Sequence, residues 1–233
     1  MIRFSFFAVL LMACLTGCAG QPAASAVFIY ADFKDAKVLP YDSPPQVIYR
    51  IDDHRFITLE RYLDCNHGDT YYNDTRASIR TYLGRGGIES YGGRLIIADQ
   101  TEKNVVIPSS APPHLVCGDR GCTVSLLYST DSGRTFDGTR FIHSFDPFDD
   151  TKRYTVAVTK DAYFVGKKID ETAVSVDRFP LLSGFKYGRD TLPDNNKIQY
   201  NVAMPSGLYS PSRQERFSCD TSIRPTNPNA PLK

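Results

Sequence analysis

The sequence lacks a membrane-length hydrophobic run and any marked excess of charge. The apolar stretch at residues 4–15 has about a dozen residues, whereas a helix needs roughly 20 to span a bilayer. The formal net charge is +1, and no basic run is interleaved with aromatic residues. Neither a transmembrane anchor nor a nucleic-acid-binding surface is therefore expected.

The common catalytic motifs are also missing. The chain contains no HExxH, no G-x-S-x-G, no P-loop and no G-x-G-x-x-G that opens a helix. Its four histidines lie in separate segments without the spacing of metal ligands. We therefore predict no catalytic residues, no metal site and no cofactor. A Ser-His-Asp site assembled by folding stays open, because such sites are recognised by geometry and not by sequence order.

The N-terminus carries the pattern of a lipoprotein signal. Arg3 precedes the apolar stretch, which ends in Leu15, Thr16, Gly17 and Cys18, a match to the bacterial lipobox. Residues 1–17 are thus predicted to be a signal peptide, with diacylglycerol attached to the Cys18 thiol. Because the next residue is alanine and not aspartate, the outer membrane, facing the periplasm, is the expected location. The alternative is an ordinary secretory signal with a chance cysteine near the cleavage site.

Four cysteines follow Cys18, and an even number in an oxidising compartment predicts two disulfides with three possible pairings. The run CGDRGC places Cys117 and Cys122 on either side of a turn, so we expect them to pair with each other. Cys65 would then pair with Cys219 and tie the C-terminal segment to the body. Zinc binding is the competing interpretation, but the chain has no CxxC and its spacings fit no zinc pattern.

From residue 45 onward, short apolar segments alternate with Gly, Pro, Asp or Asn at the spacing typical of all-β domains. The clearest hairpin is YTVAVTKDAYFVGK, with its turn at Lys160 and Asp161. No segment shows a helical repeat with caps. We predict an all-β fold of antiparallel strands, either propeller-like or a sandwich. The single β-rich domain spans 45–220, after a lipidated tether at 18–44 and before an irregular, partly mobile tail at 221–233.

The run YSTDSGRTF matches the Asp-box, a hairpin turn with the pattern S-x-D-x-G-x-x-aromatic. Ser129 and Asp131 supply turn hydrogen bonds, Gly133 permits a positive φ, and Phe136 plants the outgoing strand in the core. This motif predicts a structural turn. One such box does not decide between a propeller and a sandwich.

The stretch FDPFDDTKR mixes aromatic and acidic residues. Its three carboxylates suit a calcium site, a pair of glycosidase acid and base groups, or a solvated acidic loop. Aromatic anchors are also typical of protein interfaces, so the stretch is a candidate partner-binding loop. Reversal of the charges of Asp149 and Asp150 tests that hypothesis. The residues concerned are Phe145, Asp146, Phe148, Asp149 and Asp150.

Together with the lipobox, four ordered blocks carry a family resemblance: PPQVIYRIDDHRFITLE, YYNDTR, GGRLIIAD and CTVSLLYSTDSGRTF. Over residues 44–140 the chain resembles the Tli-like lipoproteins, immunity proteins of type VI secretion lipase effectors. The resemblance implies a periplasmic lipoprotein that binds an incoming phospholipase and prevents self-intoxication, and it brings no catalytic or contact residues with it. Two other functions stay open: a structural or accessory envelope lipoprotein, and a sialidase-like carbohydrate-active protein suggested by the Asp-box.

Overall fold

The computed structural model describes residues 40–85, 91–110, 117–119 and 121–229, which form an all-β fold. The predicted signal peptide, Cys18 and the tether up to residue 39 lie outside the described residues. In chain order the elements are β1 (Gln46–Arg50), β2 (Arg55–Asp64), β3 (His67–Asp74), β4 (Ile79–Arg85), β5 (Arg94–Ile97), β6 (Val105–Ser110), β7 (Cys117–Gly118), β8 (Gly121–Ser129), β9 (Asp137–Ser144), α1 (Pro147–Thr151), β10 (Tyr154–Val158), β11 (Ala162–Lys168) and β12 (Val174–Pro180).

The strands form three four-stranded sheets. Sheet 1 is the meander β1-β2-β3-β4, and sheet 2 has the order β12-β11-β10-β5. Sheet 3 has the order β6-β8-β7, with β9 also paired to β8. In the described part of the chain β5 pairs with β10 in parallel, and the other strand pairs are antiparallel. The parallel pair is possible because sheet 3 supplies the long crossover that parallel strands require.

One hydrophobic core joins the three sheets. Its fully buried members include Ile57 from sheet 1, Val156 from sheet 2 and Val106 from sheet 3. Alternation along the strands produces this arrangement, since every second side chain points to the same face. In the hairpin predicted from the sequence, Val156 and Val158 are buried, and Val158 lies opposite Tyr163 in the register. The all-β prediction and this hairpin are confirmed.

Two elements differ from the sequence-based expectation. Strand β12 extends sheet 2 beyond the predicted hairpin, with Val176 opposite Gly166. A five-residue helix, α1, lies in the acidic and aromatic stretch, where no helix was predicted. It is too short to show a periodic apolar face, so its local cap and its proline are the relevant signals.

A segment without regular structure closes the seam between sheets 1 and 2. Residues 210–219, here called the seam segment, run between the edge strands β1 and β5. The amides of Ser212 and Ser218 donate to carbonyl oxygens of β1 or its end, at 2.9 Å each, while the Leu95 amide of β5 donates to the Glu215 carbonyl at 2.8 Å. Because an uncovered strand edge is an aggregation hazard, the segment protects both edges.

Residues 220–229, which follow the seam segment, have no regular secondary structure and return to the entry of the domain. The Asp220 amide donates to the Gln46 side-chain oxygen at 2.8 Å, and the Thr226 amide donates to the Asp42 carboxylate at 2.8 Å. The Asn227 side chain donates to the Pro40 carbonyl at 2.8 Å. These contacts restrain part of the C-terminal tail, for which partial mobility is predicted from the sequence.

Candidate protein-binding site

The acidic and aromatic stretch forms one loop between two sheets. Residues 145–153, here called the aromatic loop, leave sheet 3 after β9 and enter sheet 2 at β10, with α1 at their centre. The Asp146 carboxylate accepts a hydrogen bond from the Asp149 amide at 3.1 Å, and Pro147 occupies the start of the helix. A capping aspartate followed by proline favours a helix start at this point.

The two phenylalanines of the loop point into solvent. Phe145 is 76% exposed and Phe148 is 45% exposed. The Lys152 ammonium lies 4.8 Å from the centre of the Phe148 ring, a cation–π contact that limits the motion of both side chains. Large apolar side chains exposed on one loop are typical of a protein-binding surface.

The carboxylates of the loop are engaged within the loop itself. Asp149 pairs with Lys152, and Asp150 pairs with Arg153 at 2.9 Å. Hydrogen bonds from Ser144 and then Arg153 hold the pKa of Asp150 below its ordinary value. The carboxylates therefore stabilise the shape of the loop, and the phenylalanine rings are its exposed apolar groups.

The base of the aromatic loop is packed onto the body. The Gly92 amide donates to the Thr151 hydroxyl at 3.0 Å. A Cβ atom at Gly92 would lie 2.7 Å from the Phe148 carbonyl oxygen, so only glycine permits this close approach. The loop is thus fixed from below, which lowers the entropy that a partner must remove on binding.

The turn at residues 129–136 is held by its own side chains. The Ser129 hydroxyl donates to Asp131 at 2.7 Å, and the Gly133 amide donates to the Ser129 hydroxyl at 2.9 Å. The amide and hydroxyl of Thr135 both donate to Asp131, at 3.0 and 2.7 Å. Burial raises the pKa of Asp131, but the hydrogen bonds from Thr135 and Ser129 outweigh it, so the pKa lies below its ordinary value. Phe136 is buried, and assignment of the turn as an Asp-box stays a prediction.

The predicted cysteine pairs lie at two places in the fold. Cys65 and Cys219 form a disulfide that joins the β2–β3 turn to the end of the seam segment. The backbone register of β7 and β8 places Cys117 directly opposite Cys122. The disulfide between that second pair stays a prediction.

Comparison with protein families adds a decisive observation. The family model described as T6SS Tli3 immunity protein matches residues 41–167, more than half of the chain. The chain belongs to the Tli3 family of type VI secretion immunity proteins. The matched region begins just before β1, ends within β11 and includes the whole aromatic loop. A comparison with curated proteins finds no match.

Membership of the Tli3 family implies a cognate effector protein as the binding partner. It also makes a non-enzymatic role the expected one. Tli3-type immunity is typically periplasmic, and within the described part of the chain no helix is long and apolar enough to cross a membrane.

One charged cluster of this Tli3 family member, at the end of β1, is not predicted from the sequence. His54 Nδ1 lies 2.6 Å from the Asp53 carboxylate and 3.1 Å from that of Asp52, and His54 Nε2 lies 3.4 Å from Glu102. Partial burial lowers the pKa of His54, but these carboxylates outweigh it, so the pKa is raised. The only signal for this cluster in the sequence is the run DDHR, which by itself indicates a break between two strands.

The cluster supplies ligand atoms suited to a metal, since atoms of Asp52, Asp53 and His54 lie within 4.8 Å of one another. These atoms already have partners in the protein. Asp52 accepts a hydrogen bond from Arg55 Nε at 2.7 Å, and His54 faces the Asp53 carboxylate. The geometry is that of an ion-pair network that fixes the turn between β1 and β2.

Proposed function

We propose that this Tli3 family member is a periplasm-facing lipoprotein that binds and neutralises a type VI lipase effector and thereby protects the producing cell. Family membership supports the immunity role, and the resemblance to lipase-directed relatives supports a phospholipase as the partner. The lipobox at Cys18 supports a lipid anchor, with the outer membrane as its destination. An anchored inhibitor shares a thin compartment with the incoming enzyme, which raises its effective concentration.

The exposed phenylalanine pair of the aromatic loop is the observation that carries this function. Full burial of an exposed phenylalanine side chain contributes roughly 1.5–3 kcal/mol, and Phe145 and Phe148, 76% and 45% exposed, can each supply the corresponding part of it to a binding hot spot. We infer that Phe145 and Phe148 contact the effector directly. A loop of this kind inhibits a lipase by covering the substrate entrance, the nucleophile or a moving lid.

A binding assay with exposed-residue variants tests the proposal. Residues 19–233, with disulfides intact, are mixed with candidate type VI lipases, and both complex formation and phospholipase activity are measured. The double variant Phe145→Ser and Phe148→Ser should raise the Kd by about tenfold or more, because each ring removed costs a large part of a hot spot. Tyr200→Ser is the matched control, since Tyr200 is 66% exposed and lies outside the loop.

Charge reversal distinguishes the contribution of the loop carboxylates to binding from that of the phenylalanine rings. Because Asp149 and Asp150 pair with Lys152 and Arg153 and stabilise the shape of the loop, reversal of both carboxylates should weaken binding indirectly, by loosening the loop, and by less than loss of the rings. If a lipase binds wild type and the double phenylalanine variant equally well, the aromatic loop is not part of the interface. Recovery of envelope proteins alone, with lipase activity unchanged, would favour an accessory lipoprotein.

A further inference from the structure

A crevice of about 210 Å³ opens between sheets 2 and 3 beside the aromatic loop. One wall comes from β9, the edge strand of sheet 3, and the other from the face of β10, β11 and β12. Aromatic and aliphatic side chains dominate the lining, among them Phe141, Ile142, Tyr154, Tyr163, Val165 and Phe179. The sequence contains no motif for this site, because its residues come from five strands, β8 to β12.

The aromatic walls are held by ring contacts. Phe141 and Tyr154 meet edge to face across the two sheets, with ring centres 4.9 Å apart. Tyr163 and Phe179 stack in parallel at 4.8 Å on adjacent strands. A pocket with walls fixed in this way admits an apolar group without a large ordering cost.

Positive charge prevails among the residues that line the crevice. Arg140 and Lys167 contribute two cations, against one carboxylate from Asp177. Within the described chain neither cation has a carboxylate oxygen within 4 Å. The Lys167 ammonium instead lies 5.7 Å from the centre of the Tyr154 ring. Asp150 of the aromatic loop interacts with the Lys167 charge at longer range. Because neither cation forms a direct ion pair with a described carboxylate, both can face a carboxylate on a partner.

The crevice is continuous with the proposed effector contact. Phe141 lies near the end of β9 and Tyr154 begins β10, so the aromatic loop spans the gap between these two wall residues. Because Tyr154 directly follows the loop and also lines the crevice, the two surfaces adjoin at this residue. Its volume is below the 300–1,000 Å³ of typical small-molecule sites, which favours a single inserted side chain.

We propose that the crevice receives one large apolar side chain of the effector, with an acidic residue of the effector beside it facing Arg140 and Lys167. This assignment rests on the proposed function. Interface anchors typically fill preformed, apolar pockets, while surrounding charges set orientation and association rate.

Two kinds of variant test the crevice against the effector that wild type inhibits. Arg140→Glu reverses the charge of an exposed side chain and should raise the Kd by about tenfold, with much of the change in the association rate. Ile142→Trp fills the cavity and should weaken binding at least as much. Lys160→Glu is the matched control, because Lys160 is exposed in the β10–β11 turn, and it should change the Kd by less than about twofold.

The outcomes distinguish failure of the crevice assignment from failure of the proposed immunity function. If wild type inhibits a lipase and Arg140→Glu binds it as tightly as Lys160→Glu does, the crevice assignment is wrong and the immunity function stands. If wild type binds no lipase, the proposed function fails first. If octanoate binds wild type but not Ile142→Trp and leaves the Kd for the effector unchanged, the crevice is an acyl-chain site. If self-association is lost only in Ile142→Trp and effector binding is unchanged, a second copy of the chain is the occupant. Either result overturns the assignment.

Discussion

At the scale of single residues, Gly133 shows how the β8–β9 turn depends on one conformation. Its φ is +82°, and a Cβ atom at this position would lie 2.1 Å from the Tyr72 ring. Tyr72 in turn packs edge to face against Phe136, with ring centres 5.8 Å apart. The glycine therefore lets the turn of sheet 3 rest on the core of sheet 1.

Gly133→Ala should destabilise the protein by roughly 2–4 kcal/mol, from the sum of left-handed strain and overpacking against Tyr72. Urea unfolding measures the change. Gly184→Ala is the matched control, because Gly184 has a φ of +74° with open space around its Cβ position. The control should lose only the conformational part, about 1 kcal/mol. Equal losses in the two variants would mean that the close approach to Tyr72 contributes nothing.

His54 links stability to pH at the residue scale. Its pKa is raised in the fold, so its protonated form stabilises the native state. That contribution is complete below the unfolded pKa of about 6.5 and disappears as the pH rises through the higher folded value. Wild type should therefore lose free energy of unfolding between pH 6 and pH 8 relative to His54→Gln. Parallel pH profiles for the two proteins would show that the carboxylates around His54 do not stabilise its charge.

At the scale of elements, the seam segment is the part of the fold that depends most on distant contacts. It joins β1 to β5 through backbone hydrogen bonds, and Glu215 adds a two-pronged ion pair to Arg94 with bonds of 2.8 and 2.9 Å. The fully buried Ser210 hydroxyl accepts from the Ile97 amide at 2.8 Å. The Cys65–Cys219 disulfide fixes the end of this segment.

Replacement of Cys65 and Cys219 by alanine should reduce the free energy of unfolding by up to about 5 kcal/mol. The disulfide closes a loop with a sequence separation of 154 residues, and long loops gain the most in the chain-entropy model. Denaturant unfolding measures the loss. Cys65→Ala alone breaks the same cross-link and should show nearly the same decrease. A loss below about 1 kcal/mol would mean that the hydrogen bonds of the seam segment hold it without the disulfide.

The sequence predicts local elements of this fold well and distant contacts poorly. Strands can be predicted because alternating apolar residues such as Val156 and Val158, and the turn residues on either side, lie within a few positions of one another in the sequence. The parallel register of β5 with β10 and the contacts of Ser212 with β1 depend on residues far apart in the chain. The ion pairs of Asp149 and Asp150 follow from the i, i+3 spacing of α1, a helix too short to show a periodic pattern.

The candidate site also has a part that the sequence predicts, the aromatic loop, and a part that it does not, the crevice. Composition alone indicates Phe145 and Phe148 as candidate interface residues, because both are aromatic and lie among acidic residues. The crevice residues Arg140, Lys167 and Phe179 carry no common motif. They come together only because β9 packs over sheet 2. The packing of two sheets depends on the whole core, so it cannot be predicted from a local stretch of sequence.

At the scale of the whole molecule, three sheets around one core hold the aromatic loop and the crevice on a rigid body. Because a tether at residues 18–44 is predicted between the proposed anchor at Cys18 and this body, we expect effector binding and membrane attachment to be separable. Cys18→Ser should release the protein from membranes into the soluble periplasmic fraction, because the lipid-bearing thiol is lost. Cell fractionation measures this. The variant should retain lipase binding in solution, whereas membrane attachment unchanged from wild type would contradict the lipoprotein assignment.

The most direct test of the immunity function is the phospholipase activity of candidate type VI lipases titrated with purified residues 19–233, disulfides intact. We predict a stoichiometric complex with one lipase and loss of its activity at a molar ratio near one. A lipase encoded beside this chain that forms no complex and keeps full activity in excess protein would contradict the account.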